Sequence, residues 1–339
     1  MFEGLRKPTE LIVIVVTLLS YGCPIQAIVH AFGLDERTVA SWRDRAGTHC
    51  QHVHQQLVET GQLDLVHVQA DEIRVKGCKM IAWMGLAMMI SSRLWLAGTV
   101  SLTRDRSLAD HLMRQVRACA QAMGSLLICT DGWTAYPNSI RRAFREKVKK
   151  TLGRGRACLQ IWPDLHIGTV IKCTEKKRVV EVTRTMSHGS HGQAETLLKQ
   201  SAGGSVLNTA FIERLNATMR ERLATLTRKC RHGPRHLLPL EKGMYLVGST
   251  YNWCWVHQEL SKPAHLGYAC TPAMAAGLTD HIWSVFELLR YKVAPSPEVE
   301  PKRRGQPKKQ AEQTTIPTKR QSFRPLLRLR KGVLCSTTS

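Results

Sequence analysis

The sequence predicts an α/β protein: a mixed β-sheet with an N-terminal helix-turn-helix domain and a helical C-terminal extension. Three observations lead there. Between residues 64 and 136 the order is three strand-like runs, one helical run and a fourth strand-like run, which reads as a sheet with a parallel strand added after a crossover helix. Residues 1–58 carry helical patterns broken by Gly33, and after Pro234 the pattern is again mostly helical to about Lys292. At 339 residues and 43% hydrophobic content, the chain is long and apolar enough for two or three packed domains.

The N-terminal elements follow from their punctuation. Pro8 is placed to open a first helix, and the apolar run Leu11 to Leu19 reads as a buried helix, too short to span a bilayer. Pro24 suits the first position of a second helix to Phe32. Gly33 breaks it, and Asp35 is placed to N-cap a third helix reaching Arg45. In that helix Val39, Trp42 and Ala46 share the inward face, leaving Arg37, Thr38, Ser41 and Arg45 outward, as a helix-turn-helix entering a DNA groove requires.

The next segment changes period. Val66–Val75, Ile81–Ile90 and Trp95–Thr103 read as strands. Ser107 followed by Asp110 resembles a capping box for a helix to Met123, and Gly124 ends it before a strand at Ser125–Thr130. Residues 137–205 are basic, with a hairpin at Leu165–Cys173 and Arg178–Met186. Thr209–Lys229 reads as one long helix with an apolar stripe of Ile212, Leu215, Met219, Leu223 and Leu226. The tail after Pro295 carries eleven basic and three acidic residues and reads as disordered on its own. The domains expected are thus 1–58, 64–235, 236–294 and 295–339.

Lys and Arg outnumber Asp and Glu by 49 to 26, a net charge of +23 that points to a polyanionic partner, with nucleic acid ahead of an anionic membrane surface. The eleven cysteines include no Cys-x-x-Cys pair, which argues against an ordinary zinc site, and reduced buried thiols in a cytosolic protein are expected. The cluster His49-Cys50-His52-His54 is weak evidence for a metal ligand set.

Against this positive background three acids stand in apolar contexts. Asp71 lies within the first strand, Asp131 closes the fourth, and Glu213 stands near the start of the long helix. Ionised groups at such positions are costly unless compensated. If the two strands are adjacent, both aspartates meet at the sheet's C-terminal end, where ligands of α/β sheets bind. A pair of Mg²⁺ ions would neutralise the three acids and act on phosphates, with Asp71 bridging and Asp131 and Glu213 each completing one site. Glu72 points to the other face and is held as a reserve ligand. Trp133 suits stacking on a base, or a place in the core. Arg220 is on Glu213's side of the helix, placed to orient it or to meet a phosphate. Among the basic run 141–156, Arg142, Lys149 and Arg154 are candidate contacts to DNA backbone, although such runs are often only solvated faces.

The segments Ala70-Asp71-Glu72, Thr130-Asp131-Gly132-Trp133-Thr134-Ala135-Tyr136 and Asn208-Thr209-Ala210-Phe211-Ile212-Glu213-Arg214-Leu215-Asn216 resemble transposases of bacterial insertion sequences, in the group with Thr-Asp-Gly-Trp-x-x-Tyr before Ile-Glu-Arg-x-Asn. Tyr251-Asn252-Trp253 and Thr271-Pro272-Ala273-Met274 resemble the same group, and the likeness covers roughly residues 64–290. It implies a ribonuclease-H-like mixed sheet and a DDE triad of Asp71, Asp131 and Glu213. It further implies two Mg²⁺ or Mn²⁺ ions, strand cleavage by water and strand transfer by a 3′-OH. Double-stranded DNA is then the expected partner, as terminal repeats and as target, with a homo-oligomer on DNA, no membrane, and a bacterial cytoplasmic, nucleoid-associated location. The segment from Asp131 to Glu213 is longer than the simplest such core needs. Two other readings share these features: a catalytically inactive or co-opted DNA-binding protein, and a ribonuclease-H-like nuclease without strand transfer.

Overall fold

The computed structural model describes residues 1–294 except 61–62, 78–79, 122–123, 149–156, 177, 228–232, 264 and 266. The chain is mixed α/β, and residues 1–294 form one compact unit. Its centre is a six-stranded sheet built from β1 (His67–Lys76), β2 (Ile81–Met89), β3 (Trp95–Ser101), β4 (Leu126–Asp131), β7 (Leu165–Glu175) and β8 (Arg178–His188), in the spatial order β3-β2-β1-β4-β7-β8. β5 (Arg145–Val148) and β6 (Cys158–Ile161) make a separate two-stranded ribbon. The central strands β1, β4 and β7 run parallel, and β2, β3 and β8 are antiparallel to their neighbours. This arrangement is consistent with a ribonuclease-H-like sheet.

The first three helices are α1 (Thr9–Ser20), α2 (Ile25–Phe32) and α3 (Glu36–His54). Gly33 ends α2 with φ 59°, a left-handed conformation open to glycine at little cost, and Asp35 caps α3 by accepting from the Arg37 and Thr38 backbone N–H groups. Val39, Trp42 and Ala46 are buried, while Arg37, Ser41 and Arg45 are exposed and Thr38 is half-buried. The third helix does not stop at Arg45. It continues to His54 and a π-helical turn at Gln55–Glu59, because Ala46, Cys50 and Val53 extend its apolar face and nothing breaks it.

The continued half of α3 packs on α8 (Leu237–Trp253), which covers β3. Two glycines permit the close approach. A Cβ on Gly47 would lie 2.3 Å from the Lys242 carbonyl oxygen, and one on Gly248 would lie 2.3 Å from the Trp95 ring. β3 is an edge strand, and an edge leaves backbone groups unpaired. At Trp95 the buried Asn252 stands in for a neighbouring strand: it accepts from Trp95 N–H and donates to Trp95 C=O, both at 2.9 Å.

Other boundaries differ from expectation for local reasons. α4 (Arg106–Cys119) is capped by Asp105, which accepts from the Ser107 and Leu108 N–H groups, rather than by Ser107. α5 (Ala135–Ala143) follows β4, and Arg145–Val148 of the basic run is a strand. α6 (His191–Gln200) precedes α7 (Ala210–Arg222), which ends seven residues before Lys229: Leu223 turns extended and a short 3₁₀ turn follows at Ala224–Leu226. Among the described residues after α8 the helices are the short α9 (Pro272–Ala275) and α10 (Val285–Arg290). Thr271, in the second pair of motifs, is the side-chain cap of α9. The tail from Pro295, with its expected disorder, lies outside the described residues. Among the described residues no helix is long and apolar enough to cross a membrane.

His54 shows how tightly α3 is seated. Its ring is buried, 4.5 Å from the Trp95 ring, with Nε2 2.9 Å from the Leu96 carbonyl oxygen. That oxygen only accepts, so the neutral ring carries its proton on Nε2. Burial lowers its pKa from 6.5 to about 4. As pH falls from 6.5 towards 4 the unfolded chain takes up a proton that the folded chain does not, so stability falls across that window, by ~3 kcal/mol at most. His54→Gln is expected to flatten that part of the stability–pH curve, and denaturant titrations at pH 4.5 and 7 would measure it. An unchanged slope would remove this role.

Candidate active site

The site begins with the register of two neighbouring strands. Ala70 of β1 pairs with Thr130 of β4 in a parallel ladder, so Asp71 and Asp131 occupy the next level. In-register residues of parallel strands point to the same face. The adjacency on which the metal reading depended is therefore present. β4 ends at Asp131, so the edge of β1 at Glu72 is open on that side. Carboxylate oxygens of Asp71, Glu72 and Asp131 lie within 4.8 Å of one another, and no other such acidic, His or Cys group occurs among the described residues. The His49–His54 stretch makes no such group: His49 turns to the Leu288 carbonyl and His54 to that of Leu96.

The face of β1 bearing Asp71 is fastened rung by rung to what covers it. His67 meets the Ser201 hydroxyl at 3.0 Å. Gln69 donates to Asn208 and accepts, on its own carbonyl oxygen, the Phe211 and Ile212 N–H groups at 3.1 Å each. It thus satisfies two of the free donors at the start of α7 and fixes that helix to the strand. One further rung along, Asn216 of α7 donates to Asp71 Oδ2 at 2.8 Å, and the Glu72 N–H donates to Asp71 Oδ1 at 2.8 Å.

Glu213 sits one helical turn before Asn216. Its carboxylate accepts from the Thr209 hydroxyl at 2.7 Å and pairs with Lys172 of β7. It stands outside the close group of three, although its charge is felt at Asp71. Glu72, held in reserve by the sequence reading, stands inside. It accepts from the Tyr136 hydroxyl at 2.9 Å and from Arg104 Nε at 2.5 Å. Arg104 reaches on to Asp131 Oδ2 at 3.4 Å, and Asp131 Oδ1 accepts from the Trp133 N–H at 3.1 Å. Trp133 is half-buried beneath Arg104, whose guanidinium carbon is 4.6 Å from its ring centre.

The crowding has an electrostatic signature. Burial first, then the charges of Glu72 and Asp131, push the Asp71 pKa up to about 7. Burial and the Asp131 charge raise Glu72, and burial raises Asp131. At Asp71 and Glu72 burial and neighbouring carboxylates together say that negative charge is under-compensated here. A set of hard carboxylate oxygens at this spacing is chemically suited to Mg²⁺ or Mn²⁺.

The remaining candidates are placed as follows. Arg142 pairs with Asp110 and donates to the Ser139 hydroxyl at 2.9 Å, so its guanidinium is engaged between α4 and α5. Arg45 donates to the Glu3 carbonyl at 2.6 Å. Arg220 is half-buried on α7. Lys149 and Arg154 lie outside the described residues. Arg104 and Lys172, the two cations among these acids, were missed from sequence. Each is separated from its acid by tens of residues, and no local pattern marks it.

No protein-family model matches the chain, and no curated protein matches it. Among solved structures, it is similar to a chain of the simian T-cell lymphotropic virus intasome in complex with PP2A regulatory subunit B56 gamma. The match has TM-score 0.30 and 11% identity, and covers 85% of this chain and 77% of that one.

Proposed function

We propose that this protein is a DNA transposase of the DDE class, acting on the ends of its own element. The observation that carries the reading is the in-register placement of Asp71, midway along β1, beside Asp131, at the end of β4, next to the helix that bears Glu213. The resemblance of the three motifs and the net charge of +23 support the same reading.

In this reading Asp71, Asp131 and Glu213 hold the divalent ions. Held there, such ions would supply charge stabilisation to the attacking and leaving oxygens of a phosphoryl transfer. The chain's own groups do the rest. Asn216 keeps Asp71 turned towards Asp131, Thr209 orients Glu213, and Gln69 keeps α7 in register with β1. We assign sequence reading to the exposed face of α3, through Arg37, Thr38, Ser41 and Arg45, and backbone contacts to Arg142, Lys149, Arg154 and Arg220. The expected domains translate into α2–α3 as the reading unit and the sheet with α4–α7 as the catalytic one.

The test is to incubate the protein with labelled duplexes carrying the element's end and its flank. Strand breaks at the element boundary that need Mg²⁺ or Mn²⁺ are expected. Their absence at any metal concentration, with the end still bound, would leave only a DNA-binding role. Arg37→Ala is expected to weaken binding to the end about tenfold and to random DNA far less, since a base contact is worth ~1–3 kcal/mol. Equal losses on both, in a gel-shift titration, would remove α3 from sequence reading.

A further inference from the structure

Arg104 occupies a place that its local sequence does not explain. It follows β3 and immediately precedes the cap of α4, a surface position, yet its side chain is only 33% exposed. Its guanidinium donates to Glu72 Oε1 and Asp131 Oδ2, two members of the close acidic group. The indoles of Trp133 and Trp83 flank it, with the guanidinium carbon 4.6 Å and 5.3 Å from their ring centres. Glu72, the acid it holds most closely, has a side chain only 3% exposed and takes the buried Tyr136 hydroxyl on its second oxygen. The pair is thus built into the packing.

We propose that Arg104 is a resident cation that shares its carboxylates with the divalent ion and yields Asp131 when that ion binds, turning towards a DNA phosphate. The inference rests on the metal reading above. Three facts support it. The Arg104–Asp131 contact, at 3.4 Å, is the looser of its two, while the Glu72 contact is short. Asp131 cannot give the same oxygen fully to a guanidinium and to a divalent ion, so the two bindings compete by mass action. The aromatic faces of Trp83 and Trp133 already flank the guanidinium, so release from Asp131 does not leave it unsupported. A cation freed beside a scissile phosphate adds to affinity for the polyanion. Metal and DNA then favour each other, and by linkage the coupling is reciprocal. Lys172, paired with Glu213, is a cation of similar exposure, and among the described residues no aromatic ring seats it.

The experiment is calorimetric titration of the full chain with Mn²⁺, without and with a non-cleavable duplex. In the free protein, Arg104→Ala and Arg104→Gln are expected to bind Mn²⁺ about tenfold more tightly, because charge-assisted hydrogen bonds to Asp131 no longer oppose it. Added duplex is expected to tighten Mn²⁺ binding in the wild type and to do so less in both variants. A purely structural Arg104 would give the opposite, weaker Mn²⁺ binding once the acids lose their organiser. Unchanged or weaker binding in both variants, each melting with a single wild-type-like transition, would overturn the proposal. No wild-type Mn²⁺ binding sensitive to Asp131→Asn would overturn the metal reading itself, and this proposal with it.

Discussion

Asp71→Asn and Asp131→Asn are each expected to lower metal-dependent cleavage of end DNA by at least ~10³-fold, while end binding changes less than about threefold. The magnitude follows from the chemistry. A divalent ion supplies several kcal/mol of charge stabilisation in phosphoryl transfer, and each 1.36 kcal/mol is a factor of ten in rate. An amide keeps the size and one acceptor oxygen but not the charge. Binding survives because the face assigned to reading DNA is on α3, while these residues are on β1 and β4. The same substitution carries a second, opposite signature. Asp71 is held in a site that resists its ionisation, with its pKa raised to about 7 by burial and by Glu72 and Asp131. Without metal at pH 8, Asp71→Asn removes that repulsion and is expected to raise Tm, a gain in stability coupled to a loss of activity. Glu213→Gln is expected to follow the aspartates in cleavage, and Glu72→Gln to lose roughly tenfold, because it loosens Arg104 and Tyr136 beside the aspartates. Wild-type cleavage in Asp71→Asn would end the assignment.

The second large effect is structural. Asn252→Leu, close to isosteric, is expected to cost on the order of 2–5 kcal/mol, because it strands the Trp95 N–H and C=O at a buried sheet edge, each worth about 1–3 kcal/mol. In a folded unit of this size that is a fall in Tm of roughly 3–8 °C. Thermal melts followed by circular dichroism would measure it, and a variant melting within a degree of wild type would show that the edge is satisfied some other way.

Asn252 also illustrates what was legible. Its motif was visible as a resemblance, but its task was not. Nothing local in Tyr251-Asn252-Trp253 announces a hydrogen-bonded partner 157 residues earlier. The strands of the sheet were readable because period-2 runs and turn residues are local signals. That β4 joins the sheet parallel, after a crossover helix, was readable as well, while its place beside β1 comes from the pairing itself. The caps at Gly33 and Asp35 were readable for the same local reason. The long reach of α3, the early end of α7 and the strand within the basic run depend on tertiary packing instead. At the site, the pairing of Asp71 with Asp131 followed from strand phase. The inclusion of Glu72 did not, because alternation sends its side chain to the opposite face, and only the end of β4 at Asp131 opens a way round. Arg104 and Lys172 were invisible because ion pairs formed across tens of residues leave no periodic trace.

The course of α3 has a mechanical consequence. One uninterrupted helix of 19 residues carries the exposed Arg37–Arg45 face near its start, and at its far end seats His54 against Leu96 of β3. At 1.5 Å per residue it is a rod about 28 Å long. Gly47 presses its midpoint to the α8 backbone, so the rod is clamped at its centre as well as at its end. A lever held at two points has no pivot. With Val39 and Trp42 buried its first half is held too, so the bearing of the Arg37 face towards Asp71 and Asp131 is set when the chain folds and not by a swinging linker.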